Sequence, residues 1–291
     1  MTTRGRIAIL IVLLFAAATT GVITRGRARE SRLSSAVAFV SEPAAVREFL
    51  DQPGVGYVQA YFRFGPDFPD DVIVAIDQEF LDGIDNPLYL PGGDWMAFAG
   101  VQRTGAVWVG AGSDHALAGS ASRNRDWKIY DLKTPLEPDV WYRMRVEADF
   151  GARRFKNFTI EGPGLKQSLD LSTHPLDYPN YMPFNSRSMT YFVAAMRGRS
   201  MMKRQGTPIV YFDDVEGGIT SEGGKVQRIF FDSFENQSEL TAQPLSFPVI
   251  KLESYQQKKW YFERPESIFR IEHVNFAHSG TAVGVADVNL D

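Results

Sequence analysis

Residues 141–150 read W-Y-R-M-R-V-E-A-D-F, and residues 155–161 read F-K-N-F-T-I-E. In the first segment Tyr142, Met144, Val146, Ala148 and Phe150 fall on one side of a pleat, and Trp141, Arg143, Arg145, Glu147 and Asp149 fall on the other. One row is apolar throughout and the other is mostly charged. That is the signature of a strand with one face in a core and one in water, and the two segments form the clearest hairpin of the chain. Other short strand-like segments surround it: 57–64, 72–80, a hairpin at 95–102 and 106–109, then 127–132, 189–196, 208–215 and 230–235. Gly65-Pro66, Pro69 and the Gly-, Pro- and Asp-rich residues 82–94 and 110–124 separate them. Helical periodicity is nearly absent beyond the N-terminus, with one short helix expected at 44–50 after Pro43. The expected fold is all-β, an antiparallel β-sandwich preceded by an N-terminal hydrophobic helix.

Within that frame, residues 72–80 are V-I-V-A-I-D-Q-E-F. Val72, Val74, Ile76 and Phe80 alternate with Ile73, Ala75, Asp77 and Glu79, so the pleat sets both acids on one face. Two carboxylates side by side on a strand are costly unless they meet water, a ligand or a metal. A solvated strand face is the plain reading, and a binding site is the other.

The stretch A-I-D-Q-E-F-L, beginning at Ala75, resembles the active-site strand of the family 16 glycoside hydrolases, which have a concanavalin A-like fold. Their pattern is Glu, a hydrophobic residue, Asp, any residue, Glu and an aromatic. By position the resemblance makes Asp77 the tuning acid and Glu79 the general acid/base. The nucleophile position holds Ala75, and a retaining glycosidase needs a carboxylate there. The hairpin at 141–162 is similar to one found in laminin-G-like and glucanase jelly rolls. I-V-Y-F-D-D-V-E, residues 209–216, is similar to a strand of many carbohydrate-binding sandwiches. Together these imply a concanavalin A-like jelly roll.

Composition narrows the function classes. Of 31 basic residues, five fall in residues 1–29 with no acid, so the remainder carries 26 bases against 35 acids, a net charge of −9. An acidic body disfavours nucleic acid as a partner. There is no Cys, and the four His have no H-x-H or H-E-x-x-H spacing, which argues against a zinc enzyme. Residues 7–24 are 18 residues without a charge, preceded by Arg4 and Arg6 and followed by Arg25, Arg27 and Arg29. This is the layout of a secretory signal, with Ala16-Ala17-Ala18 as a cleavage site, and is nearly long enough to anchor in a membrane if uncleaved. The body is therefore expected outside the cytoplasm, whether secreted, periplasmic or membrane-anchored.

Further constellations carry expectations of their own. Asp213 and Asp214 are adjacent at a strand end, where related sandwiches often hold a structural Ca²⁺. Arg197, Arg199, Lys203 and Arg204 form a basic loop suited to an anionic glycan. Trp95, Trp108 and Trp127 are candidates for a sugar-stacking platform, with core packing as the alternative. The last residues, D-V-N-L-D, resemble the opening of the calcium loop in FG-GAP or VCBS repeats, with Asp287, Asn289 and Asp291 as the first ligands. The rival for this region is F-E…H-S-G, from Phe234 to Gly280, which resembles the opening of many carbohydrate-binding modules. A lone propeller blade cannot bury its faces, so the alternative to a repeat is a strand docked on the sandwich.

The expected organisation is a signal or anchor at 1–29, a linker at 30–55, the sandwich at 56–238 and a β-rich tail at 239–291. The expected function is binding of a polysaccharide or glycoconjugate without cleavage, with Asp77, Glu79, Trp95, Trp108, Arg197 and Arg199 at the ligand and Ca²⁺ as a structural ion. The alternatives are a polysaccharide-degrading glycosidase or lyase using Asp77 and Glu79, and a structural or adhesion module of the cell envelope.

Overall fold

The computed structural model describes residues 34–40, 54–82, 93–112, 126–181, 188–197, 208–220, 224–236, 240–244, 260–262 and 268–288. Residues 1–29, the helix expected at 44–50, Arg199, Lys203, Arg204, Asn289 and Asp291 lie outside them. In chain order the strands are β1 (Ser34–Val40), β2 (Val55–Phe64), β3 (Val72–Asp82), β4 (Gly93–Met96), β5 (Ala99–Gln102), β6 (Ala106–Ala111), β7 (Asp126–Asp131), β8 (Tyr142–Asp149) and β9 (Arg154–Gly162). They continue as β10 (Leu165–Asp170), β11 (Asp177–Tyr181), β12 (Ser188–Arg197), β13 (Ile209–Thr220), β14 (Val226–Asp232), β15 (Leu240–Pro244), β16 (Trp260–Phe262), β17 (Ile268–His273) and β18 (Ala282–Asp287).

Among the described residues these strands make two sheets and no helix. A ten-stranded sheet runs β15-β16-β1-β12-β3-β5-β6-β7, with β4 on the end of β3 and β11 on β4. An eight-stranded sheet runs β10-β9-β8-β2-β13-β18-β17, with β14 beside β13. The pairings are antiparallel except β15 with β16. The expected sandwich is what forms.

The β8–β9 hairpin packs as its alternation predicts. Tyr142, Met144, Val146, Ala148 and Phe150 are buried, and Phe155, Phe158 and Ile160 join them. From the facing sheet come Val72, Val74, Ile76 and Phe80 of β3, together with Met189, Tyr191, Val193 and Ala195 of β12. Apolar rows from both sheets thus interlock in one core, as aligned sandwiches require.

The sheets reach past the boundaries drawn from composition. β1, inside the stretch expected as a linker, lies between β12 and β16. From the expected tail, β15 and β16 join the ten-stranded sheet while β17 and β18 join the other. Trp260 explains part of this: it is fully buried against Phe230 and Phe234, and its indole N–H bonds the Asp232 carboxylate. Burying a side chain of that size outweighs a weak local strand signal.

Candidate functional site

The two faces of β3 belong to different clusters. Its core side carries Val72, Val74, Ile76 and Phe80, while Ile73 and Ala75 belong to a second, separate apolar cluster on the outer side. Asp77 and Glu79 continue that outer row. They do not form a solvated face: Asp77 is 4% exposed and Glu79 5%.

Strand register sets what stands beside them. β12 runs antiparallel to β3 with Thr190 opposite Glu79, Phe192 opposite Asp77, Ala194 opposite Ala75 and Met196 opposite Ile73. On the other side Met96 of β4 is opposite Glu79, Gly100 of β5 is opposite Ala75, and Gln102 is opposite Ile73. Trp108 of β6 then faces Gly100, and Ile129 of β7 faces Trp108. One row across the sheet is therefore Ala194, Ala75, Gly100, Trp108 and Ile129. Three small residues form a floor, and an indole and then Ile129 follow it.

The floor is tight. A Cβ at Gly100 would come within 2.6 Å of the Val74 carbonyl and of Ile73 Cγ2. Beside the floor stand three rings. Phe98 meets Trp127 edge-on with centroids 5.5 Å apart, and Trp127 meets Trp108 edge-on at 5.7 Å. Exposure rises along the row from buried Ala194 through half-buried Trp108 to Ile129, which is 55% exposed; beside the row Phe98 is buried, and Trp127 and Met196 are half-buried. The acids occupy the withdrawn part of the face and the indoles the open part.

Trp95 is a correction to the expected ligand set. It is paired with Phe80, on the core side, and is 5% exposed. The Arg153 guanidinium lies 4.6 Å above its ring. A ring enclosed in this way has no face for a sugar. Trp127, weighed in the sequence as a platform residue, stands on the outer face beside Trp108. Arg197 ends β12 opposite Val72. Sequence reasoning missed Phe98, Gln102, Phe192, Thr190 and Met196, because their meeting depends on the order β12-β3-β5-β6-β7, which no local pattern encodes.

Gln78, between the two acids, points the other way. It is buried on the core side opposite Tyr191, and its amide lies against Gly56, where a Cβ would come within 2.5 Å of Nε2. Neither amide atom completes a hydrogen bond of normal geometry, nor does the Tyr191 hydroxyl. Burial pushes the Tyr191 phenol well up, and the neighbouring Gln78 amide offsets part of that.

Asp213 and Asp214 lie at a bulge where the register of β13 on β2 shifts, and Asp214 has φ 45. The β17–β18 turn closes on them. Asp213 accepts hydrogen bonds from the Asp214 N–H at 2.7 Å and the Ser279 N–H at 2.9 Å. Asp214 accepts the Ser279 hydroxyl at 2.6 Å and meets His278 Nδ1 at 2.6 Å. The His278 ring stacks on Tyr61 at 3.6 Å. Burial raises the Asp213 carboxyl from 3.8 to about 6; the Ser279 N–H works against this and the Asp214 charge adds to it.

Each of the four carboxylate oxygens of Asp213 and Asp214 thus has one hydrogen-bonding partner from the protein. Among the described residues no group of three or more His, Asp or Glu is arranged to hold a metal. Asp287 ends β18 opposite Ile209 and Ile268, so its strand is docked on the sandwich. The F-E and H-S-G segments meet: Glu235 accepts the N–H groups of Thr281 at 2.6 Å and Ala282 at 2.7 Å.

Comparison with protein families found no match, and comparison with curated proteins found none. Among solved structures the similarities are low. SCP-B, a member of the Eqolisin family of peptidases solved with a tripeptide, is 11% identical with a TM-score of 0.37, over 88% of this chain and 98% of that one. A Bacillus licheniformis β-glucanase is 10% identical with a TM-score of 0.24, over 51% of this chain and 56% of that one. An alginate lyase from Pseudomonas aeruginosa is 12% identical with a TM-score of 0.26, over 57% and 65%.

Proposed function

We propose that the outer face of the ten-stranded sheet binds a polysaccharide and does not cleave it. The supporting observation is the row Ala194, Ala75, Gly100 and Trp108, with Asp77 and Glu79 on the same face. A sugar ring offers a flat C–H face and a rim of hydroxyls. An aromatic face matches the first, and carboxylate oxygens accept from the second.

Cleavage by a retaining mechanism requires two carboxyls about 5–5.5 Å apart, one of them a nucleophile. The position that the glucanase resemblance assigns to the nucleophile is Ala75. Asp77 and Glu79 have Cα atoms about 6.6 Å apart from the strand rise. Their burial favours a second reading, a lyase or glycosidase, since a carboxyl in apolar surroundings is suited to acid–base work.

Affinity electrophoresis through gels containing neutral, acidic and amino polysaccharides tests the proposal. Retardation by at least one of them, lost in Trp108→Ala, is expected, together with no release of reducing ends or unsaturated products. Product release by the wild type would move the chain to the enzyme reading. No retardation in any gel would leave the envelope-module reading. The proposal includes export, which rests on Arg4, Arg6 and the uncharged run at 7–24. Fractionation of expressing cells should recover the protein outside the cytoplasm, and a soluble cytoplasmic product with its N-terminus intact contradicts that part.

A further inference from the structure

The Trp108 indole is held from two directions. Its Nε1–H donates to Gln102 Oε1 at 2.9 Å, and the edge-on Trp127 ring meets it at 75°. Trp127 is held in turn by Phe98, itself buried, at 81°. Gln102 is no freer. It is the last residue of β5, and its carbonyl accepts the Gly105 N–H at 2.9 Å in the turn to β6. Gly105 has φ 88, a conformation that suits glycine and fixes the hairpin register. That register sets Gly100 opposite Trp108, so Gln102 stands diagonal to the indole, within reach across the strand gap.

A stacking residue that has to be ordered when the ligand arrives costs affinity, and one already ordered does not. We infer that Gln102 is a positioning residue, which holds the Trp108 ring as a pre-set stacking surface for a pyranose. This rests on the carbohydrate-binding reading of the face and deepens it. With Nε1–H committed to Gln102, Trp108 recognises its ligand through the ring face. The matching class is a chain of equatorially substituted pyranoses, whose axial C–H groups make a flat apolar face.

Cello- and xylo-oligosaccharides are the probes, titrated by calorimetry against the full chain, Trp108→Ala, Gln102→Leu and Gln102→Glu. Gln102→Leu removes the acceptor at similar size, and Gln102→Glu keeps it. Trp108→Ala should abolish binding. Gln102→Leu should weaken it about three- to tenfold, the net worth of one hydrogen bond, and Gln102→Glu should restore it. Thermal melts of the three variants establish that they fold, and the Glu variant separates the acceptor's role from mere packing. Binding lost in Trp108→Ala but equal in the wild type and Gln102→Leu overturns the positioning role while the carbohydrate reading stands. Binding equal in the wild type and Trp108→Ala, or no binding of either probe, overturns the inference together with its ligand class; retardation by other polysaccharides in the gels would then still support the broader reading.

Discussion

On the outer side of the eight-stranded sheet, Arg143 pairs with Glu161, Arg145 with Glu147, and Lys166 with Glu161. On the outer side of the ten-stranded sheet, Ile73, Ala75, Phe98 and Ala194 cluster beside Asp77 and Glu79, and all six are buried. The two sheets share one core and one architecture, so the fold does not require this difference. The first face balances charges of both signs in water, which costs and gains little. The second withdraws two carboxylates from water among apolar groups, which is expensive even when each is met by a partner. A face built against stability in this way is where a function is to be sought. Glu161 shows the other regime: burial acts to raise its carboxyl, but Arg143 and Lys166 bring it below its ordinary value.

The largest effect is expected at Gly100. Gly100→Val pushes a branched side chain into the Val74 carbonyl and Ile73, and should cost about 2–3 kcal/mol in denaturant unfolding as well as abolish binding. A variant with wild-type stability and affinity would show that the small floor has no role. Next is Asp213, an acid on the eight-stranded sheet whose role is structural. Asp213→Ala leaves the Asp214 and Ser279 N–H groups unanswered and should cost about 2 kcal/mol, with binding retained. Its carboxyl is raised on folding from 3.8 to about 6, so the stabilisation tied to its protonation is full below 3.8 and lost as pH rises through about 6. The Tm gap between wild type and Asp213→Ala should therefore narrow over that interval. A constant gap, or one that widens, contradicts the assignment.

A smaller effect of opposite sign is expected at Gln78. Gln78→Met replaces a buried amide with a side chain of similar shape and should stabilise the protein by about 1 kcal/mol. Destabilisation would mean that the amide has a partner, such as a buried water shared with Tyr191. The smallest effect is Lys166→Ala on the charged face, within about 0.5 kcal/mol and without consequence for binding. Loss of binding there would place the ligand on the wrong sheet.

The sequence carries the fold in its alternations, because a period of two such as that in 142–150 is satisfied by a strand with one buried face. It carries the acid pair for the same reason. What it does not carry is adjacency between strands distant in the chain. Trp108 is 33 residues from Ala75, and only the pairing of β3 with β5 and of β5 with β6 makes them neighbours. The face of Trp95 is not legible in the sequence, because a one-residue choice decides between core and surface and the residues around it have no clean alternation. The H-S-G turn was legible as a motif, but not as the clasp on Asp213 and Asp214, which requires β18 to pair with β13.

The outer face of the ten-stranded sheet is the proposed ligand surface. A crystal structure of the protein soaked with the oligosaccharide it binds best tests this most directly. A sugar ring lying on the Trp108 face above Gly100, with hydroxyls directed towards Asp77 or Glu79, is expected. A sugar bound instead against the Arg145 and Glu147 face, or at the edge strand β17, contradicts it.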